Sequence, residues 1–324
     1  LIGSAGWNYL INRKLFATFT GGYTRYRSHI IQKQNAFVSS PDKNGQVYFQ
    51  EGHYRSAMED VNLRASFDYR PNVDHRIRMG SDYLFHLFRP EQSNMSSWYK
   101  DSVVSQMNNT IFSHSLIHGH EVSLYAEDEM LLTDRLRVNA GLRFTLFHVQ
   151  GETYQSFQPR FSTRYLLGRN LSAKVSYTKM NQYIHLLSNS YISQPTDIWV
   201  PVTGNIRPMH AHQVTSGLFW HYKELDFSVE GYYKRMNNLV EYKDNGPVLL
   251  FTGWEDRVGV GKGRSYGLEL MVQKKTGRFN GWIGYTLSWS DRWFPDGTVN
   301  KGRRFPSKYD NRHKVDIVAS YKTF

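Results

Sequence analysis

Leu136-Arg137-Val138-Asn139-Ala140-Gly141-Leu142-Arg143-Phe144-Thr145 alternates apolar and polar residues without a break. A β-strand turns successive side chains to opposite faces, so this stretch has one greasy face and one that carries Arg137 and Arg143. The same contrast runs through Val61–Arg70, Leu171–Thr178 and Phe227–Lys234. Helical spacing appears nowhere over a useful length. The chain reads as all-β.

Working outward, short turns fall near Ile11–Lys14, Pro71–Asp74, Leu132–Arg135, Gly168–Asn170, Tyr222–Glu224 and Thr276–Arg278. Long polar segments at 28–57, 90–119, 149–157, 182–210, 237–262 and 291–312 alternate with them. About thirteen strands result: 1–10, 15–27, 58–70, 75–89, 120–131, 135–148, 158–167, 171–181, 211–221, 225–236, 263–275, 279–290 and 313–324. Strands of this length with tight turns at one end and long loops at the other fit a transmembrane antiparallel up-and-down β-barrel. A soluble sandwich also alternates, but its strands average about 5–6 residues. Its packed core could not take Arg64, Asp68, Arg137, Arg143, Arg160, Arg164, Lys174, Glu230 and Glu269 unpaired, whereas a water-filled lumen can. Tyr9, Tyr69, Tyr165, Tyr222 and Phe279 recur beside the short turns, as an interfacial girdle does. Thirteen strands, cut mid-strand at both ends, do not close. Residues 1–324 are therefore expected to be part of one barrel domain, about 13 strands of a larger ring.

Composition agrees once it is divided between two faces. The 324 residues hold 40 Lys and Arg against 28 Asp and Glu, a net charge of +12, with 22 Tyr, 19 Phe, 8 Trp and no Cys. Mean hydropathy is −0.57, which reads as soluble only if every residue meets the same solvent. The absence of Cys excludes a disulfide framework, thiolate metal sites and a cysteine nucleophile. Basic residues alternate along the polar faces and punctuate the short turns instead of clustering, so no nucleic-acid partner is expected.

Tyr125-Ala126-Glu127-Asp128-Glu129 is followed by Leu132-Thr133-Asp134-Arg135-Leu136 and Asn139–Phe144, then by Pro159–Ser162, Gln182–Asn189, Ser265–Leu270, Gly281–Ser288 and Lys308–His313. In this order and spacing these motifs resemble TonB-dependent outer-membrane receptors, in the form common in Bacteroidetes. The match is good over 115–324 and by pattern only over 1–114. The resemblance implies a barrel of about 22 strands filled by an N-terminal plug. It implies import of a ferric chelate, cobalamin or glycan into the periplasm, energised by the TonB–ExbB–ExbD complex acting through the plug. It places the protein in the Gram-negative outer membrane, in contact with lipid and lipopolysaccharide, and admits a surface lipoprotein partner. Plug and TonB box are not found in this sequence. A passive porin-like or structural barrel is the alternative, and a barrel-embedded hydrolase a third.

The loop aromatics Trp98, Tyr99, Tyr183, Trp199 and Trp254, with His185, Asp197 and Arg257, are the candidate ligand contacts, because exposed rings stack on sugars or aromatic chelators. The same rings could instead pack the loops over the barrel mouth. Arg64, Arg137, Arg143, Arg160, Arg164, Glu230 and Glu269 are expected to face the lumen, where they draw anionic solutes or dock the plug. His114, His118 and His120, and the pair His210 and His212, read as loop or rim residues. An i, i+2 pair on a strand shares one face and can take a metal, yet no carboxylate in H-E-x-x-H geometry accompanies either group. Neither cofactor nor metal site is expected. Gly263-Arg264-Ser265-Tyr266-Gly267 spells a nucleophile elbow, but a strand follows where the elbow needs a helix. Gly259–Gly263 reads as a flexible loop, and no enzyme is expected.

Overall fold

A computed structural model describes residues 1–40, 43–100, 105–113, 116–187, 198–244 and 254–323. Side chains at 32, 36–40, 43–48, 50, 54, 91–95, 97–100 and 105–113 lie outside the described set. The strands in chain order are β1 (Ile2–Asn12), β2 (Leu15–Ser40), β3 (Lys43–Tyr69), β4 (His75–Lys100), β5 (Ser105–Ser113) and β6 (Ile117–Thr133). They continue as β7 (Leu136–Val149), β8 (Glu152–Leu166), β9 (Leu171–Gln182), β10 (Ile184–Leu187), β11 (Ile198–Pro201) and β12 (Met209–Tyr222). The last five are β13 (Leu225–Tyr242), β14 (Val258–Lys274), β15 (Phe279–Trp293), β16 (Phe305–Pro306) and β17 (His313–Tyr321). All but β10 and β11 belong to one 15-stranded sheet, which follows the chain up and down; β10 and β11 form a separate hairpin. No helix among the described residues is long and apolar enough to cross a membrane.

Register fixes the faces. Leu63, Tyr83, Val122 and Leu146 lie opposite one another on β3, β4, β6 and β7. Leu218, Val229, Leu270, Tyr285 and Val315 form a second such row on β12 to β17. The opposite face carries Arg64, Asp82, Ser123, Thr145 and Ser156 in one row. Burial is inverted relative to a soluble protein. Leu63, Leu124 and Leu218 are 56%, 57% and 50% exposed, while Asp82, Ser123 and Thr145 are 2%, 0% and 0% exposed. Apolar side chains left outside and hydrogen-bonded polar ones inside are what a bilayer requires of a barrel wall. Near the short turns the outer face carries Tyr9, Tyr165, Tyr222 and Phe279, all at least 44% exposed. There Trp220 stacks on Phe227 at 5.2 Å.

The β10–β11 hairpin shows that the sheet curls. It contacts β3 and β4 on one side and β13 on the other, although β3 and β13 are seven steps apart in strand order. Only a sheet wrapped around the hairpin brings those strands within its reach. Among the described residues β1 and β17 do not pair, and the sheet is open along those two edges.

The thirteen long strands and six short turns stand where the alternation puts them, but four loop readings need correction. Segments 28–57, 90–119 and 149–157 are largely strand: β2 and β3 stay paired up to Ser40 opposite Lys43, β5 pairs with β4, and β7 and β8 stay paired up to Val149 opposite Glu152 across a two-residue turn. Above the bilayer both faces of a ribbon meet water, so no apolar-polar contrast marks it. Gly259–Gly263 is not a flexible loop. It lies inside β14, where a Cβ on Gly261 would come within 2.6 Å of the Phe294 ring and one on Gly263 within 2.5 Å of Leu239. The glycines let Phe294, which is 0% exposed, press against the backbone of β14.

The inversion predicts a large contrast between neighbouring substitutions. Leu270→Arg, on the outer face, should cost about 2–4 kcal/mol of unfolding free energy in lipid vesicles. Glu269→Gln, one residue away on the inner face, should cost nothing measurable. Urea titration followed by heat-modifiable gel migration reads both.

Candidate functional site: the polar interior and the hairpin across its mouth

The seven charged residues read as lumen-facing share one face. Arg137, Arg164, Lys174, Gly217, Glu230 and Glu269 lie in a single row from β7 to β14. Arg143 shares the face of Arg137, Arg160 that of Arg164, and Arg64 stands in the row of Asp82 and Thr145. This is the face against which the hairpin packs. Part of it forms a recess of about 490 Å³ lined by Glu129, Arg137, Arg164, Lys174 and Glu230.

Toward the mouth the face is knitted together. Asp82 accepts from Arg64 Nε at 2.5 Å and forms an ion pair with Arg143 Nη1 at 2.8 Å. Ser123 and Thr145 share a hydrogen bond of 2.9 Å, and Gln158 donates to Thr145 and Ser156 at 3.2 and 3.1 Å. Ser156 meets the Tyr183 hydroxyl at 2.6 Å, which ties the hairpin to the wall. His86 pairs with Asp60 at 2.7 Å on the same side. Below this net ion pairs continue on one side of the wall, where Arg78 and Arg160 share Glu127 at 2.8 and 3.9 Å and Arg137 pairs with Glu129 at 3.0 Å, while Arg164, Lys174, Glu230 and Glu269 have no ion-pair partner among the described residues.

Two apolar cores hold the hairpin. Tyr183 and Val202 join Phe88, Ile117, Phe147 and Val149, with the Tyr183 ring stacked on Phe147 at 4.9 Å. Leu187, Ile198, Val200 and Ile206 join Trp254 and Val258 on the far side. Tyr154 donates to the Thr203 carbonyl at 2.5 Å and Asn205 donates to Glu255 at 2.8 Å, adding polar anchors on both flanks.

This packing changes the reading of the loop aromatics. Tyr183, His185, Trp254 and Arg257 are all 6% exposed or less. They hold the hairpin and the 3₁₀ turn at Trp254–Arg257, and present little surface to a ligand in this arrangement. Trp199 is half-buried on β11. Asp197 and the side chains of Trp98 and Tyr99 lie outside the described residues. The sequence gives no signal that separates a packed loop ring from a presented one, because both sit in polar stretches.

The register also gives the histidines a side of the wall. His212 is in phase with the apolar residues Val214 and Leu218, so the pair His210 and His212 points to the outer, lipid-facing side. Their rings lie edge to face at 6.0 Å, and His212 bonds the Tyr177 hydroxyl at 2.8 Å. His118 and His120 share the outer face, where His120 meets the Tyr83 hydroxyl at 3.0 Å. His114 is outside the described residues. No group of three or more potential metal ligands occurs among the described residues. Ser265 lies mid-strand in β14, bonded to Ser290 at 2.9 Å, so the elbow spelling has neither its turn nor a histidine.

Two outcomes follow from this geometry. Asp82→Ala leaves the partly buried Arg143 without its main partner and should cost about 3–5 kcal/mol, whereas Arg64→Ala, whose guanidinium is largely exposed, should cost under about 1 kcal/mol. Unfolding in vesicles measures both. Burial lowers the His185 pKa from 6.5 to about 4. The unfolded hairpin therefore takes up a proton that the folded one refuses between those values. Its stability is full above pH 6.5 and falls as pH drops toward 4. Hydrogen-exchange protection factors at 198–206, which divide out the pH dependence of free amide exchange, should fall on going from pH 7.5 to pH 5, and His185→Gln should remove most of that fall.

Comparison with known proteins follows the geometry. No curated protein sequence matches the chain significantly. Among solved structures the chain is similar to the P. aeruginosa receptor FpvA bound to heterologous pyoverdines, at 14% identity and a TM-score of 0.64, covering 100% of this chain and 43% of that one. It is similar to the ferric-catecholate import receptor Fiu of E. coli K12, at 13% identity and a TM-score of 0.62, covering 100% and 51%. The FrpB iron transporter of Neisseria meningitidis gives 10% identity and a TM-score of 0.58, covering 98% and 55%. The chain thus spans about half the length of these solved relatives, and at such identity the likeness is one of fold. The family described as "TonB dependent receptor-like, beta-barrel" matches residues 2–324. With nearly all of its length matched, and its sheet inverted as a bilayer demands, this chain belongs to the TonB-dependent receptor barrels of the Gram-negative outer membrane.

Proposed function

We propose that the protein imports a scarce solute across the outer membrane, with energy delivered by TonB–ExbB–ExbD to a plug that fills the barrel. The observation that carries this reading is the charged inner face below the hairpin. Arg164, Lys174, Glu230 and Glu269 stand there without ion-pair partners among the described residues, on a wall otherwise knitted by such pairs. A passive pore needs only a wet lumen, whereas unpaired fixed charges are suited to an occupant of complementary charge. The solute is a ferric chelate, a cobalamin or a glycan. The cationic stretch Arg137–Arg164–Lys174 and the iron transporters among the solved relatives favour an anionic metal chelate. Trp199, at the mouth, is the aromatic contact that the packing leaves partly open. The protein does no covalent chemistry in this scheme.

Uptake of iron from single chelate sources, compared in hosts with and without TonB, tests the reading. Loss of uptake in the TonB-deficient host is expected. Undiminished uptake there would leave passive diffusion as the function.

A further inference from the structure

The outer face carries a second charged row, unrelated to the interior. On β9, β12, β13, β14 and β15 the register aligns Tyr177, Val214, Tyr233, Tyr266 and Trp289, with Tyr233 stacked on Tyr266 at 6.4 Å and Tyr266 on Trp289 at 5.2 Å. Two residues further from the short turns, the same strands align Lys179, His212, Arg235, Arg264 and Asp291. One step beyond lie His210, Asn237 and Lys262. All share the face of the exposed apolar residues Val214, Leu218 and Leu268.

Height and charge identify what meets them. His212 is ten residues from the girdle residue Tyr222 along β12. At about 3.3 Å per residue and a strand tilt of about 40°, that is about 25 Å along the membrane normal, the height of the apolar band of an outer-membrane barrel. The row therefore stands at the outer edge of the hydrocarbon. Asp291 pairs with Arg264 at 3.0 Å and is the one acid in the row. Lys179, Arg235 and Lys262 have no acidic partner among the described residues. Comparable outer-face cations on β2 and β4 are satisfied: Arg25 and Arg89 share Glu59 at 3.5 and 2.8 Å. Arg55 on β3 has no acidic partner among the described residues either, but Lys179, Arg235 and Lys262 gather on β9, β13 and β14, which β12 joins into one continuous sector of the wall. Arg264 lies 5.5 Å from the Tyr266 ring centroid, which ties the charged row to the aromatic one beneath it.

We propose that Lys179, Arg235 and Lys262, flanked by Arg264 and the His210–His212 pair, form a seat for the phosphate groups of a lipid headgroup in the outer leaflet. Charge complementarity and depth commit the site to a phosphorylated membrane glycolipid whose acyl chains lie against Leu218 and Leu268. Lipid A, the phosphorylated anchor of lipopolysaccharide, has that chemistry. The seat is independent of the transport reading, since it uses no interior residue.

The test uses the protein purified from outer membranes in detergent, titrated with bisphosphorylated lipid A, with lipid A stripped of its phosphates, and with inorganic phosphate. Thermal unfolding, read by heat-modifiable migration, reports binding. Bisphosphorylated lipid should stabilise the protein, and the other two probes should not. Each basic side chain near an anionic surface is worth about a fivefold factor, so the triple variant Lys179→Gln, Arg235→Gln, Lys262→Gln should bind roughly 100-fold more weakly. Arg13→Gln, at a short turn on the opposite side of the membrane, should bind as the wild type does. If the triple variant does not fold, Arg235→Gln and Lys262→Gln alone should each weaken binding roughly fivefold. Wild-type affinity in these variants, or equal stabilisation by phosphate-free lipid, would overturn the proposal. Matching stabilisation by inorganic phosphate would reassign the row to a small anion and overturn it as well.

Discussion

A strand in hydrocarbon has no water to satisfy its amides, so each backbone group must pair with a neighbouring strand. Every other feature of this protein follows from that demand. Pairing fixes the register, and register fixes which side chains face lipid. The outer face then has to be apolar and the inner one absorbs the remaining polar groups. Asp82 between Arg64 and Arg143 is stable where it is because its row lies on the inner side of the wall. Leu63, one residue earlier than Arg64 along β3, is exposed for the same reason.

What was legible in the sequence is what the bilayer enforces. Within the apolar band a strand must alternate, so Val61–Arg70 and Leu136–Thr145 announce both their conformation and their faces. The side shared by all seven lumen charges could be read from their phase alone. Outside the band the constraint lapses, and so does the signal. The upper halves of β2 and β3 are strand paired through backbone hydrogen bonds, with water on both faces, and nothing in the pattern marks them. The β10–β11 hairpin is hidden differently. Its residues are held by contacts with β4, β7 and β13, which are distant in sequence, and no local period reports a long-range core. The histidine pair reads as rim residues from its place near a strand end, and the phase of His212 with Val214 and Leu218 adds which side of the wall it is on.

The glycines of β14 show how the wall accommodates the segments folded inside it. Gly259, Gly261 and Gly263 recur at the strand period on the inner face, so their missing side chains form a continuous shallow trough. Leu239 covers it at Gly263, and Phe294 covers it at Gly259 and Gly261 and brings the 294–306 segment down onto the sheet, stacked on Phe305 at 6.1 Å. A run that looks like flexibility is a packing surface, because in a strand the useful property of glycine is its lack of a Cβ as much as its backbone freedom.

The inner charges obey a different logic from the outer ones. Like charges directly opposite on adjacent strands destabilise a sheet. Yet Arg137, Arg164 and Lys174 stand side by side, and beyond Gly217 Glu230 faces Glu269. Interleaving the two signs along this row would have neutralised it within the wall. Segregating them instead keeps a cationic stretch and an anionic stretch a few strands apart, with a field between them across the recess. Water can carry that cost while the lumen is wet. A folded or chelated occupant with the opposite arrangement of charge would relieve it, and would be held in one orientation by doing so. The same row thus disfavours the empty barrel and orients whatever fills it.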